Sequence, residues 1–322
     1  MLKKQLFILL LYTICTVKPF EFTVPTDLHK IRPETWLSPA IPRNDAGRPG
    51  SYPFICGDTF RKIANHIIDE TLIPFDPAKV KPGDIIFLNG NYLEIFVTTL
   101  HPHINAPYIL LTHNSLQPAP GKFEALLNDP KLIAWFGKNI TITNHPKLFP
   151  LPLGIPNKHW PWGNIELIKE ITNQHIQKNH LLYLNIDVKT NNIRKKVQDI
   201  FENKSFCYFA TRKPYKDYLA DMAQSKFVLS PEGAGMDCHR TWEAMLVGSI
   251  PIITHSTLDI MFQDLPILFV DKWEDITEEF LEKNYKEITS KHYKLEKLYA
   301  DYWLRQIYQT KEDFIGKSKH EL

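Results

Sequence analysis

From residue 84 onward, short apolar runs alternate with stretches whose apolar positions recur every three or four residues. DIIFLNG (84–90) reads as a buried strand closed by an Asn-Gly turn. YLEIFVTTLHPHI has helical spacing as far as Pro102, and PYILLTHNS (107–115) is a second strand with a polar end. KFEALLNDPKLIAWFGKN (122–139) predicts a helix broken near Pro130, and ITITNHPKLFPLPLGI (140–155) a third strand with a proline-rich exit. The second half repeats the alternation: HLLYLNID, FCYFAT, KFVLSP, IPIITH and LPILFVD predict strands. IRKKVQDIFEN, YKDYLADMAQS and DCHRTWEAMLVG predict the helices between them.

Strands alternating with helices imply parallel sheets covered on both faces, hence an α/β protein. PLPLGIPNKHWPWGN separates the two series and supplies a linker around residues 155–165. The expected organisation is a leader over 1–19 and Rossmann-like, doubly wound domains over 20–158 and 159–290, facing each other across a cleft. A C-terminal helix and tail follow over 291–322. Residues 20–80 are proline-rich and irregular, with a helix expected over 60–70. In the tail, Leu295, Leu298, Tyr299 and Trp303 stand at helical spacing and should dock one face on the body.

Composition adds limits. A chain of 322 residues is long for one core, and 43% hydrophobic with 23% charged residues is ordinary for a globular protein. A formal charge of +2 gives no broad basic field, so nucleic acid is not expected as a partner. Lys3 and Lys4 precede an apolar run (6–17) too short to span a bilayer comfortably, which predicts a cleaved secretory signal and no stable membrane span in the mature chain. The expected location is therefore the secretory-pathway lumen, the periplasm or the outside, and the terminal KHEL is close to a lumenal retrieval signal. Without Cys15, three cysteines remain (Cys56, Cys207, Cys238). They show no zinc-ligand spacing, and one disulfide is open to them. Asn139-Ile-Thr and Asn203-Lys-Ser fit the glycan-acceptor pattern.

Candidate chemistry concentrates in SPEGAGMDCHRTWEAMLVGSIPII (230–253). The preceding strand ends at Ser230, so the loop after it reaches the edge where doubly wound sheets bind ligands. Gly233 and Gly235 let backbone approach a ligand closely. Asp237 is the expected N-cap of the following helix, whose free amides favour an anion such as a diphosphate. Arg240, in the first turn, offers a forked donor to phosphate, and Glu243 lies on the same face, able to accept ribose hydroxyls. Cys238, Trp242, Met245 and Leu246 face the core. A purely structural reading remains open: an Arg240–Glu243 ion pair, a core His239 and glycines that only make a turn.

SKFVLSPEGAGMDCHRTWEAMLVGSIPIITHSTLDIMFQDLPILFVDKWEDIT (225–277) resembles the nucleotide-sugar-binding part of exostosin-like glycosyltransferases, and more broadly the donor domain of two-Rossmann (GT-B) glycosyltransferases. WFGKNITITNHPKLFPLPLGI is similar to their inter-domain region. The resemblance implies transfer of a hexosyl or pentosyl group from a nucleoside-diphosphate sugar to a hydroxyl of a glycan or glycoconjugate. Glu243 would hold the ribose, and Arg240 and the loop amides the diphosphate. Ser230, Glu232, Gly233, Gly235, Asp237 and His239 complete the implied donor site. Glu232 and Glu243 stand further apart than the paired glutamates of many retaining members, which leaves the stereochemistry open.

Arg212, with Lys213 behind it, ends another strand and is a second candidate to neutralise the departing diphosphate. No Asp-x-Asp motif stands at a strand end, so no metal and no cofactor are expected. On the acceptor side, Asn89, His113, Asn114 and Ser115 sit at strand ends. His113 has the intrinsic pKa of a general base, or else is a hydrogen-bonded structural histidine. His145 and His159 are unranked alternatives. The rival functions are a non-catalytic carbohydrate-binding or scaffold protein on the same fold and, further off, a nucleotide-sugar epimerase.

Overall fold

The computed structural model describes residues 48–174 and 176–320, with side chains as far as residue 317. The expected leader over 1–19, the rest of the stretch up to residue 47 and the last two residues of KHEL lie outside the described residues.

Two five-stranded parallel sheets carry the fold, the expected α/β arrangement. The first contains β1 (His66–Ile68), β2 (Asp84–Asn89), β3 (Tyr108–His113), β4 (Leu132–Gly137) and β5 (Leu148–Pro150), in the order β1-β2-β3-β4-β5. The second contains β6 (His180–Leu184), β7 (Cys207–Phe209), β8 (Ser225–Leu229), β9 (Ile250–Thr254) and β10 (Leu268–Val270), in the order β10-β9-β8-β6-β7. Central strands are continuous apolar runs because both faces are covered: all of β3 is buried, as are Phe227, Val228 and Leu229 of β8.

The two orders differ in one consequential way. In the second sheet the chain lays β7 on one side of β6, then returns to lay β8 on the other. The carboxyl ends of β6 and β8 therefore flank a reversal of strand order, where a crevice opens. The first sheet adds every strand to the same edge and has no such reversal.

Right-handed crossovers in a sequential order fall on one face and leave the other to be covered from elsewhere. The C-terminal segment supplies cover. Phe54 pairs and stacks with Tyr299, Ala300 donates its amide to Pro53, and Trp303, Leu304 and Ile307 join the core of the first sheet. Leu298 and Tyr299 are buried as the tail pattern predicts, although the helix begins only at residue 300 (Ala300–His320).

Helix and strand expectations hold through the second half. The crossovers there are amphipathic helices, Asn192–Phe201, Tyr215–Ala223 and His239–Leu246. The first half needs correction. The helix expected over 60–70 is a single turn, Gly57–Arg61, followed by strand β1, because His66-Ile67-Ile68 pairs with Ile86–Leu88. The helix expected after Pro130 is instead β4: the proline ends the 3-10 segment Gly121–Asn128, and the apolar LIAWFG pairs with β3. The helix expected before Pro102 is a series of short 3-10, α and π turns. The strand expected over 140–155 is reduced to β5. Among the described residues no helix is long and apolar enough to cross a membrane.

Candidate functional site

A cleft of about 1320 Å³ runs between the carboxyl edges of the two sheets and is lined from both halves of the chain. Its donor-side wall starts from the loop after β8. Arg194, delivered by the helix after β6, donates Nε to the carbonyl of Glu232 at 3.0 Å and Nη2 to that of Pro231 at 3.3 Å. Asn191 donates to the carbonyl of Gly233 at 2.9 Å. The β6 connection thus fixes the glycine loop across the strand reversal. Both glycines are needed for close approach: a Cβ at Gly233 would stand 2.6 Å from Arg194 Nη2, and one at Gly235 2.5 Å from Asn139 Nδ2.

The loop is also tied to the first half. Asn139 Oδ1 accepts the Asp237 amide at 3.1 Å, and Gly154 O accepts from His239 Nδ1 at 2.7 Å. Asp237 accepts from the Leu153 amide at 2.7 Å and from Trp242 Nε1. Asp237 is therefore not the expected N-cap; Cys238 occupies that position and makes no side-chain cap. Burial raises the Asp237 carboxyl to about 6 against these donors.

Glu243 is 3% exposed, and its two oxygens accept the hydroxyls of Tyr215 (2.9 Å) and Tyr218 (3.0 Å). Burial raises its pKa, opposed by these two hydrogen bonds and by Arg240. Arg240 lines the same wall, and its Nε and Nη1 are buried with no hydrogen-bond partner among the described residues. Burial lowers the pKa of the Arg194 guanidinium, and repulsion from Arg240 adds to it. Two cations therefore press on each other beside the glycine loop.

The other expected site residues are distributed unevenly. Gly233, Gly235, Asp237, His239, Arg240, Glu243, Arg212 and His113 line the cleft. Ser230 lies beneath it, its hydroxyl paired with Thr241 at 2.9 Å, and Glu232 points to solvent outside the lining. Arg212 is 90% exposed, with Asp187 3.9 Å away, while Lys213 is held by Asp221 and Tyr208. His113 does not suit the general-base role expected of it. Its Nδ1 accepts the Asn114 amide at 2.8 Å, so the proton sits on Nε2, which donates to Pro152 O at 3.1 Å. No lone pair is left for a substrate hydroxyl, and burial lowers its pKa to about 4.

Pattern reading missed three groups of the first half. Lys138, at the end of β4, is 5% exposed and lines the cleft, with its ammonium pKa lowered by burial. Asp58 is fully buried and paired with Arg48 through both oxygens, at 2.8 and 3.0 Å. Neither Asp58 nor Arg48 lies in a periodic segment, so nothing in the chain pattern points to them. The expected glycan acceptor Asn139 is ruled out by its 3% exposure and its bond to Asp237, whereas Asn203 is exposed. Cys56, Cys207 and Cys238 are free thiols, so the disulfide left open by the sequence is not formed among them. Among the described residues no three His, Cys, Asp or Glu side chains are grouped to hold a metal ion.

Comparison with known proteins follows the same division of the chain. No curated protein matches it. An α1,3-fucosyltransferase crystallised with GDP-fucose is 10% identical over 75% of this chain and 93% of its own, with a TM-score of 0.37. A UDP-forming α,α-trehalose-phosphate synthase from Burkholderia xenovorans is 8% identical over 75% and 74%, also at 0.37. Likenesses of that size decide nothing by themselves, and the fold rests on the strand orders above. Residues 167–316 match the model of the family described as RXYLT1 C-terminal domain, a span that contains the whole donor-side wall from Arg194 to Glu243. Just under half of the chain, its second half, is therefore similar to that family.

Proposed function

We propose that the cleft transfers a glycosyl group from a nucleoside-diphosphate sugar to a hydroxyl of a glycan or glycoconjugate, without a metal ion. The observation that carries this reading is Arg240, whose buried Nε and Nη1 find no acceptor among the described residues at the crevice where strand order reverses. Leaving such donors unpaired costs about 1–3 kcal/mol each, and diphosphate oxygens would satisfy them. The amino end of the His239–Leu246 helix, Lys138 and Arg212 add positive potential on the same cleft. Those groups can stabilise a departing diphosphate in the way a divalent ion does elsewhere. Glu243, steadied by Tyr215 and Tyr218, is the group for the ribose. Trp160 and Trp162, both exposed and lining the cleft, form the acceptor wall by stacking on a sugar face. The leader would deliver the protein to the secretory lumen, the periplasm or the outside.

Calorimetry with UDP and GDP in excess EDTA tests this reading. Wild type binds one of them, and Arg240→Ala weakens that binding by about 1.5–3 kcal/mol, roughly 10- to 150-fold, with no loss of thermal stability. Equal affinity in Arg240→Ala, or binding that needs Mn²⁺, would overturn it.

A further inference from the structure

The geometry points to His239 as the residue that reads the donor's sugar, accepting a hydrogen bond from one sugar hydroxyl at Nε2. This rests on the glycosyl-transfer reading above and adds the sugar end to a site so far described at its nucleotide end. His239 lines the cleft and is half-buried. Its Nδ1 lies 2.7 Å from the carbonyl oxygen of Gly154, the connector residue with φ +66. A carbonyl only accepts, so Nδ1 carries the proton of the neutral ring and Nε2 keeps the lone pair. Among the described residues nothing bonds to Nε2. Burial lowers the pKa to about 4 against the pull of the Gly154 bond, and the charges of Lys138, His113 and Arg240 add to the lowering. At neutral pH the ring is therefore an acceptor, on a cleft whose cations, Arg240 and Lys138, only donate. The ionised diphosphate has no proton to offer such a nitrogen, whereas a sugar hydroxyl does.

The order of residues along the helix gives the same placement. In His239–Leu246, His239 and Glu243 stand four apart and Arg240 and Glu243 three apart, so the three are neighbours on the wall of the cleft. The rise from Glu243 back to His239 is about 6 Å, comparable to the length of a diphosphate. With the ribose at Glu243 and the diphosphate at Arg240, the sugar falls at the amino end of the helix, beside His239. Trp160 borders that point: its ring centre is 6.3 Å from that of His239, with the planes at 85°. A sugar held at Nε2 would therefore meet an acceptor stacked on Trp160. The bond to Gly154 comes from the connector, so the first half of the chain sets the orientation of a group carried by the second.

Two substitutions separate the two nitrogens. The side-chain amide of His239→Asn reaches the position of Nδ1, so it can keep the bond to Gly154 while losing the acceptor at Nε2. The longer side chain of His239→Gln carries its amide oxygen to the position of Nε2 and gives up the bond to Gly154. A merely structural histidine would favour the first variant, and a sugar-reading one the second.

The test is calorimetry on the full chain with UDP, GDP, a panel of UDP- and GDP-linked hexoses and pentoses, and the monodeoxy forms of the sugar that binds. His239→Asn should keep its affinity for the bare nucleotide within about threefold of wild type and lose about 5- to 50-fold for the nucleotide sugar. His239→Gln should recover part of that loss. Wild type should lose a similar factor when one sugar hydroxyl is removed, and the same removal should cost His239→Asn about twofold or less. A nucleotide-sugar affinity unchanged in His239→Asn overturns the assignment, as does a deoxy-sugar penalty that persists in it or is missing from wild type. An equal fall for bare nucleotide and nucleotide sugar also overturns it, because His239 would then belong to the diphosphate wall. A wild-type protein that binds neither UDP nor GDP overturns the glycosyl-transfer reading instead.

Discussion

The two sheets meet at one cleft but are built for different work. The second sheet reverses its strand order and uses the resulting crevice to present cations, with Arg240 Nε and Nη1 unpaired among the described residues and Arg194 close to it. The first sheet has no reversal, and apart from Lys138 most of its strand-end polar groups bind one another. Asn89 binds Glu70, Glu70 binds Arg48, Arg48 binds Asp58, and Asp58 binds Asn114, with His159 3.0 Å away. The second half leaves most of the available charge to a ligand, and the first, Lys138 aside, spends its polar groups on orientation. Electrostatic preorganisation and positioning are separate contributions to catalysis, and here they fall on separate halves.

The halves are joined through three consecutive residues. His113 of the first half holds Pro152, while Asp237 and His239 of the second hold Leu153 and Gly154. Breaking that join should have the largest effect on stability. Gly154 has φ +66, and a Cβ there would stand 2.2 Å from the carbonyl oxygen of Ile55. Gly154→Ala should cost about 3 kcal/mol or more, read as a lower urea midpoint. A cost below about 1 kcal/mol would mean that the halves are not fixed relative to each other at this point.

Acid should loosen the same join, and the sign follows from the shifted groups. His113 titrates at about 4 in the folded chain against 6.5 unfolded, so its contribution is complete above pH 6.5 and is lost as pH falls through 4. That loss is on the order of 3 kcal/mol. His239, also lowered to about 4 by burial, acts in the same direction. Asp237, raised to about 6, acts in the opposite sense: its contribution is present below pH 3.8 and lost as pH rises through 6. Stability should therefore fall between pH 6.5 and 4, and Asp237→Asn should steepen the fall by removing the opposing group. Urea midpoints across that range decide it; a shallower profile in Asp237→Asn would reverse the assignment of sign.

The smallest expected effect concerns the ribose group. Glu243→Gln keeps one acceptor oxygen for Tyr215 or Tyr218 and loses the charge. It should reduce nucleotide affinity by about 1–2 kcal/mol and leave the thermal midpoint nearly unchanged. A large drop in the midpoint with intact affinity would make Glu243 a core hydrogen-bond acceptor and no part of the donor wall.

The contrast between the sheets also explains what could be read from the chain. Helices such as Tyr215–Ala223 and His239–Leu246 carry a face periodicity that separates them from flanking β-branched strands. In the first half the connections are 3-10 and π turns with no lasting period, so LIAWFG after Pro130 passes for helix and HII for the end of one. The same holds for the site. Arg240 and Glu243 share one helix with the glycine loop, and their spacing alone places them on one face. Asp58 acquires its place only when the Gly57–Arg61 helix meets Asn114 and Asn157, contacts between segments remote in sequence.

The C-terminal helix that covers the first sheet has a consequence for synthesis. A chain made from its amino end completes β5 at Pro150, but Ala300, which begins the covering helix, emerges roughly 150 residues later. At roughly 5–20 residues per second the first sheet waits about 8–30 s with Phe54 and its neighbours unpaired. Over that interval the nascent first half presents an apolar face that, among the described residues, its own last segment closes. Such a chain depends on being shielded until translation ends, and truncations within the last helix should surface as aggregation of the first half before any defect in the cleft is felt.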